Sequence, residues 1–248
     1  MNITIDIETI PAQRPDIMAD IRETKQAELD AAIAAVKVPG NYKKQETIDE
    51  WIANEKPKQI QALRDSFDAS VEEAYRKTGL DGSFGNVCVI GFAFDDGLVK
   101  LISGLNESAV LSAFNEALDP IPSSEIFNTC VIGHNVVAFD LRFLAQRYIV
   151  NGLPCPMVLR RAAQAKPWDI DKVFDTSSQW TGSASTRISL DKLCKALSIP
   201  TPKDGITGAT VWDAIKEGRI EEVVAYCAKD VKATREAYKR MTFQTVAA

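Results

Sequence analysis

Asn2-Ile3-Thr4-Ile5-Asp6-Ile7-Glu8 alternates apolar and polar side chains, with Ile3, Ile5 and Ile7 set against Thr4, Asp6 and Glu8. That period of two predicts a β-strand beginning at residue 2. Successive side chains of a strand point to opposite faces, so Asp6 and Glu8 project from the same side. Two carboxylates held together on a buried strand are costly unless a cation compensates them. Oxygen-only ligation of this kind suits Mg²⁺ or Mn²⁺. The plainer alternative is a strand whose polar side faces solvent, and these two residues alone leave both readings open.

The chain downstream of this strand changes character. From about Asp16 to Lys77 it is rich in Ala, Glu, Lys, Gln and Leu, with few β-branched runs. Asp16–Val36 reads as one helix broken by Pro39-Gly40. Thr47–Asn54 reads as a short helix, and Pro57 fits the first turn of a longer one ending near Thr78-Gly79. Residues of about 11–80 are therefore expected to form a helical insertion of mixed charge within a single domain spanning 1–248. Such an arm would either overhang a cleft or serve packing and dimerisation.

Strand character returns at Asn86–Phe94, followed by Asp95-Asp96-Gly97 as a hairpin turn and Leu98–Ile102 as the partner strand. Asn106 is placed to cap a helix over Glu107–Leu118. A buried strand is expected at about Asn128–Gly133, and a helix over 137–150. Gly152–Arg187 reads as loop-rich, with Pro154, Pro156, Pro167 and a Ser/Thr/Gly cluster at 176–186. Helices are expected again at Ser189–Leu197, Ala209–Lys216 and Glu221–Met241. This order predicts an α/β fold, with a sheet covered by helices on both faces.

Two further acidic positions stand out. Asp140 follows Gly133-His134-Asn135-Val136-Val137-Ala138-Phe139, where a strand ends and a helix begins. In a first helical turn it is either a partner of the helix dipole or a functional carboxylate. Tyr226 and Asp230 lie four apart on one helix, hence on one face. They form either an exposed pair or a phenol and a carboxylate able to grip a water and a metal together.

Composition excludes several classes. The 248 residues suffice for one large domain with a buried core. No apolar run approaches the ~20 residues of a membrane span, and Met1–Asp6 lacks a secretory signal, so a cytoplasmic protein without membrane contact is expected. The cysteines Cys88, Cys130, Cys155, Cys194 and Cys227 are scattered and read as reduced thiols. With His134 the only histidine, a zinc site is not expected. The net charge of −5 weighs against a nucleic-acid binder. Bound cations would offset it, and Arg142, Arg147, Arg160, Arg161 and Lys166 gather into either a basic footprint or a solvated face. Trp51, Trp168, Trp180 and Trp212 are most simply packing residues.

Taken together, Asp6-Ile7-Glu8-Thr9, His134-Asn135…Phe139-Asp140 and Tyr226…Asp230 resemble, in order, the three motifs of the DEDD 3′→5′ exonucleases. These belong to the ribonuclease-H-like superfamily. Tyrosine at 226, with Ala225 before it, resembles the DEDDy branch. Ser189–Leu193, Val211-Trp212 and Arg219–Asp230 bring the resemblance closest to exonucleases related to the proofreading domain of family-B DNA polymerases. It covers residues 1–10 and about 81–245.

That resemblance implies a ribonuclease-H-like mixed sheet flanked by helices, the insertion following the first strand. It implies two Mg²⁺ or Mn²⁺ ions held by Asp6, Glu8, Asp140 and Asp230, with Tyr226 orienting the attacking water. It also implies substrate contacts from Thr9, Asn135 and Phe139. For Phe139 core packing is the competing role, and for His134 a bond to the backbone. The expected substrate is DNA, single-stranded or frayed. An exoribonuclease acting on RNA ends or short oligonucleotides, and a non-catalytic nucleic-acid-binding module, are the alternatives. A polymerase or repair or recombination partner would be a separate chain of unknown identity.

Overall fold

A computed structural model describes residues 1–166, 169–183, 186–201 and 205–244; Trp168 and Pro167 lie outside the described residues. The first strand, β1 (Asn2–Ile10), is followed by three helices, α1 (Pro15–Ala35), α2 (Gln45–Asp65) and α3 (Phe67–Lys77). A 3₁₀ turn (Thr78–Leu80) leads into β2 (Asn86–Phe94), β3 (Lys100–Ser103), α4 (Glu107–Leu118), α5 (Ser123–Ile126) and β4 (Cys130–Gly133). Then come α6 (Asp140–Val150), α7 (Met157–Ala163), β5 (Val173–Asp175), α8 (Thr176–Thr181), α9 (Leu190–Leu197), α10 (Val211–Lys216) and α11 (Ile220–Met241).

The five strands form one mixed sheet in the order β3-β2-β1-β4-β5. β1 is central: it pairs antiparallel with β2 and parallel with β4. Its odd positions, Ile3, Ile5 and Ile7, pack with Phe92, Phe114, Phe143 and Leu144 beneath α4 and α6. Its even positions face α11, which lies across β1, β2, β3 and β4. Pairing jumps from Glu8–Val89 to Thr9–Val87, so Cys88 forms a bulge in β2 beside Glu8. Among the described residues no helix is long and apolar enough to cross a membrane.

Several sequence expectations change here. Pro57 does not open a helix but sits inside α2. Proline mid-helix removes one backbone hydrogen bond; Pro57 and Ala53 are exposed, so water can take the freed carbonyl. The segment read as loop-rich holds α7, β5 and α8, which are seven, three and six residues long. Elements that short show no periodicity. Trp51 is buried and Trp212 stacks edge-on against Tyr75, but Trp180 is 44% exposed because α8 turns only Thr176 and Ser177 inward.

Arg147 does not belong to a basic surface. It is buried in an ion pair with Glu107, whose carboxylate accepts from Arg147 Nε at 2.9 Å and Nη2 at 2.7 Å. Arg161 is likewise occupied, donating to the carbonyls of Ile126 and Phe127.

The helical arm is fastened at its root. Thr9 Oγ1 donates to Gly79 O at 2.6 Å, Ala12 N to Thr78 Oγ1 at 2.9 Å, and Tyr75 Oη to Ala12 O at 2.9 Å. Arg76 adds two bonds to Asp213 of α10, at 2.9 and 2.6 Å.

Candidate active site

β1 carries Asp6 and Glu8 on the face that α11 covers. Glu8 is only 6% exposed, and Asp6 Oδ2 is buried without a hydrogen-bond partner. The polar side of this strand is therefore largely covered, with Asp6 left partly exposed beside the buried Glu8.

Asp140 arrives from the other motif through a tight turn. β4 ends at Gly133, where a Cβ would lie 2.4 Å from Val136 Cβ, so only glycine permits this closure. Asn135 adopts a left-handed conformation with φ of +60°. The first residue of α6 is then Asp140, whose Oδ1 accepts from Ile7 N at 3.1 Å. That bond sets the Asp140 carboxylate on the backbone between Asp6 and Glu8. A missing ladder partner on β1 is thereby satisfied.

Asp230 and Tyr226 come from α11, where a buried stripe of Val223, Cys227, Asp230, Val231 and Thr234 faces the sheet. The Tyr226 hydroxyl lies close enough to the Asp230 carboxylate for each to shift the other's pKa. Asp230 Oδ1 is buried and has no partner.

The four carboxylates hold one another's protons. Burial, then the charges of Glu8, Asp140 and Asp230, raise Asp6 far above the usual carboxylate range. Burial followed by Asp230 and Asp140 does the same to Glu8. Burial pushes Asp140 up to about 7 and Asp230 up to about 6. Burial and the same acids raise the Tyr226 phenol, so it stays protonated at any physiological pH.

This arrangement fits divalent cations. Two unpartnered buried carboxylate oxygens and four mutually repelling acids are a strained charge distribution that cations relieve. Donor atoms of Asp6, Glu8 and Cys227 lie within 4.8 Å of one another. Asp140 and Asp230 act on Asp6 and Glu8 by charge.

A pH and metal experiment tests the cluster. These carboxyls bind protons more tightly folded than unfolded, where they titrate near ~4. Their contribution to stability is complete below pH ~4 and is lost as pH rises through the folded values, about 6 and about 7. The melting temperature in EDTA should therefore fall between pH 5 and 8. Mn²⁺ at about 100 times its Kd should restore about 2.7 kcal/mol at pH 8. A melting temperature that climbs over this interval, or ignores Mn²⁺, would contradict the geometry.

The residues expected at the substrate are placed as follows. Thr9 follows Glu8 but commits its hydroxyl to Gly79 O. Asn135 donates its backbone N–H to Asp175 Oδ1 at 2.9 Å, and its side chain is partly exposed. Phe139 is half-buried against Phe143, ring centroids 5.5 Å apart. His134 bonds Thr176 Oγ1 through Nδ1 and Ile188 O through Nε2, each at 2.9 Å, and burial lowers its pKa. It is a neutral strut, away from the carboxylates' chemistry.

Two participants escaped the sequence reading. Asp175 is buried and accepts from Asn135 N, Val137 N, Ser177 N and Ser178 N, tying the β4–α6 turn to the start of α8. An acid after Val173-Phe174 and before Thr176-Ser177 is a helix-cap pattern, the one signal available. Cys227, buried beside Asp6 and Glu8, is legible only as an apolar stripe position.

Residues 99–246, more than half of the chain, match the family model described as "Predicted 3'-5' exonuclease related to the exonuclease domain of PolB". The matched stretch includes Asp140, Tyr226 and Asp230 and begins after Asp6 and Glu8. No curated protein sequence matches significantly. Among solved structures, the family B DNA polymerase from the hyperthermophilic archaeon Pyrobaculum calidifontis is similar, with a TM-score of 0.52 and 12% identity. The likeness covers 98% of this chain and 24% of the polymerase, so this chain spans about a quarter of that protein's length. At that identity the likeness is one of fold, an α/β mixed sheet flanked by helices in the ribonuclease-H-like manner.

Proposed function

Since the chain belongs to the family of predicted 3′→5′ exonucleases related to the exonuclease domain of PolB, we propose that it removes nucleotides one at a time from the 3′ ends of DNA with two Mg²⁺ or Mn²⁺ ions. The observation that carries this reading is the pair of unpartnered buried oxygens, Asp6 Oδ2 and Asp230 Oδ1, on facing elements. Asp6, Glu8, Asp230 and Asp140, the last with one oxygen tied to Ile7 N, would hold the ions. Bound there, the ions supply a water of lowered pKa and neutralise charge at the leaving 3′ oxygen.

The remaining work falls to the protein's own groups. Tyr226 keeps its proton and therefore cannot serve as a base. Its hydroxyl, oriented by Asp230, positions the attacking water. Asn135, and Thr9 by groups other than its hydroxyl, which Gly79 O holds, would meet the terminal nucleotide, and the half-buried Phe139 ring would offer a face for a base to stack on. Stacking tolerates any sequence, as a non-specific exonuclease requires.

DNA is favoured over RNA because the similar solved structure is a DNA polymerase. Side-by-side digestion of 3′-labelled DNA and RNA strands of one sequence tests it: faster loss of DNA is expected, and equal or faster loss of RNA overturns it. Tyr226→Phe should lower kcat roughly 10- to 100-fold, the scale of a mispositioned reactant, and leave Mn²⁺ affinity unchanged. Full activity in this variant would remove the tyrosine from the mechanism.

A further inference from the structure

Gly91 stands opposite Asp6 in the β1–β2 pairing and opposite Leu101 in β3. On its α11 side a Cβ would lie 2.7 Å from Cys227 Sγ, 3.0 Å from Val231 Cγ2 and 3.4 Å from Leu101 Cδ2. The first of these is far inside van der Waals contact. Cys227 thus occupies the volume that any larger residue at 91 would claim.

The sulfur approaches the sheet at Asp6 O, 3.6 Å away, and also lies within 4.8 Å of a carboxylate oxygen of Asp6 and of Glu8. Asp230 follows Cys227 by three residues and shares its buried helix face. A helix is stiff on this scale, and a packed core transmits a displacement of one methyl group. The height of α11 over β1, set where Cys227 rests on Gly91, is therefore handed on to Asp230.

We infer that the Gly91–Cys227 contact is the spacer that lowers α11 onto β1 and closes Asp230 against Asp6 and Glu8 around a divalent cation. Gly91 and Cys227 are positioning residues, the sulfur acting by its bulk against the strand. This rests on the reading of the carboxylates as a cation site.

The test is Mn²⁺ binding by calorimetry and by loss of the free-ion paramagnetic resonance signal, with melting temperatures measured in EDTA alongside. Gly91→Ala should weaken Mn²⁺ affinity by about tenfold or more, the scale of a disturbed supporting shell. Cys227→Ala alone, which adds no bulk against Gly91, should cost clearly less Mn²⁺ affinity than Gly91→Ala. The double variant Gly91→Ala/Cys227→Ala should regain most of the loss, because the clashing sulfur is gone.

Cys227→Val, which adds bulk from the helix side, repeats the measurement if Gly91→Ala cannot be obtained folded, and should weaken Mn²⁺ binding in the same direction. Wild-type affinity in whichever of these enlarging variants folds overturns the inference. So does Cys227→Ala losing as much affinity as Gly91→Ala, since the thiol would then be a ligand. If the wild-type protein itself binds no Mn²⁺, the proposed function falls first, and the two failures are told apart.

Discussion

Asp6→Asn should cut exonuclease activity by on the order of 10³-fold or more, as the proposed cation-binding role of Asp6 requires, while raising the melting temperature of the metal-free protein. Both effects have one cause. Asp6 sits among Glu8, Asp140 and Asp230, and burial plus those three charges oppose its ionisation. Asparagine has no charge to repel, and its amide can donate toward carboxylates that now lack a donor. The substitution therefore relieves strain and at the same time would remove one of the proposed cation ligands. Digestion of a labelled oligonucleotide in Mn²⁺ gives the first quantity, and thermal unfolding in EDTA at pH 8 gives the second. Activity that survives would have to come from elsewhere. A drop in metal-free stability would mean the acids do not repel one another as the fold implies.

Arg147→Met should destabilise the protein by about 3–5 kcal/mol, the cost of leaving one member of a buried ion pair alone. The pair is enclosed: the side chains of Arg147 and Glu107 are 6% and 4% exposed. Glu107 also accepts from Val87 N at 2.7 Å and Asn151 Nδ2 at 2.8 Å, while Arg147 Nη1 donates to Gly82 O at 3.1 Å. One network thus ties the start of α4, the end of α6 and the first residues of β2. Methionine fills the volume but leaves the Glu107 charge without a counterion. Glu107→Gln in the Arg147→Met background should recover part of the loss, since it removes that charge and keeps acceptors for Val87 N. Urea unfolding of the single and double variants decides it. An effect below about 1 kcal/mol, the range of exposed pairs, would place this pair at the surface. The per-molecule rate of nucleotide release at low temperature should survive in the folded fraction, because neither residue touches the carboxylate cluster.

Much of this protein was legible from local patterns. The alternation of Asn2–Glu8 identified β1 and put Asp6 and Glu8 on one face. Asn86–Phe94 and Glu107–Leu118 emerge with the limits read from periodicity and from the Asn106 cap, which accepts from Ala109 N at 3.1 Å. Tyr226 and Asp230, four apart on α11, share the face that the period of the helix assigns them. Short elements such as β5 and α8 carry too few residues for a period to show, so Asp175, which ends β5 and caps α8, was lost with them.

What the tertiary structure alone decided is which polar groups lose their water. Alternation in β1 marks one side as polar, and a polar side is by default a wet one. Only when α11, more than 200 residues away along the chain, settles onto that side do Asp6 and Glu8 become a desolvated cluster with Asp140 and Asp230. The same holds for Arg147, which looked like surface charge until α4 brought Glu107 to it. Period and propensity describe a residue's own element, whereas desolvation and charge pairing depend on whatever distant segment covers it, and both acid cluster and ion pair belong to that second kind.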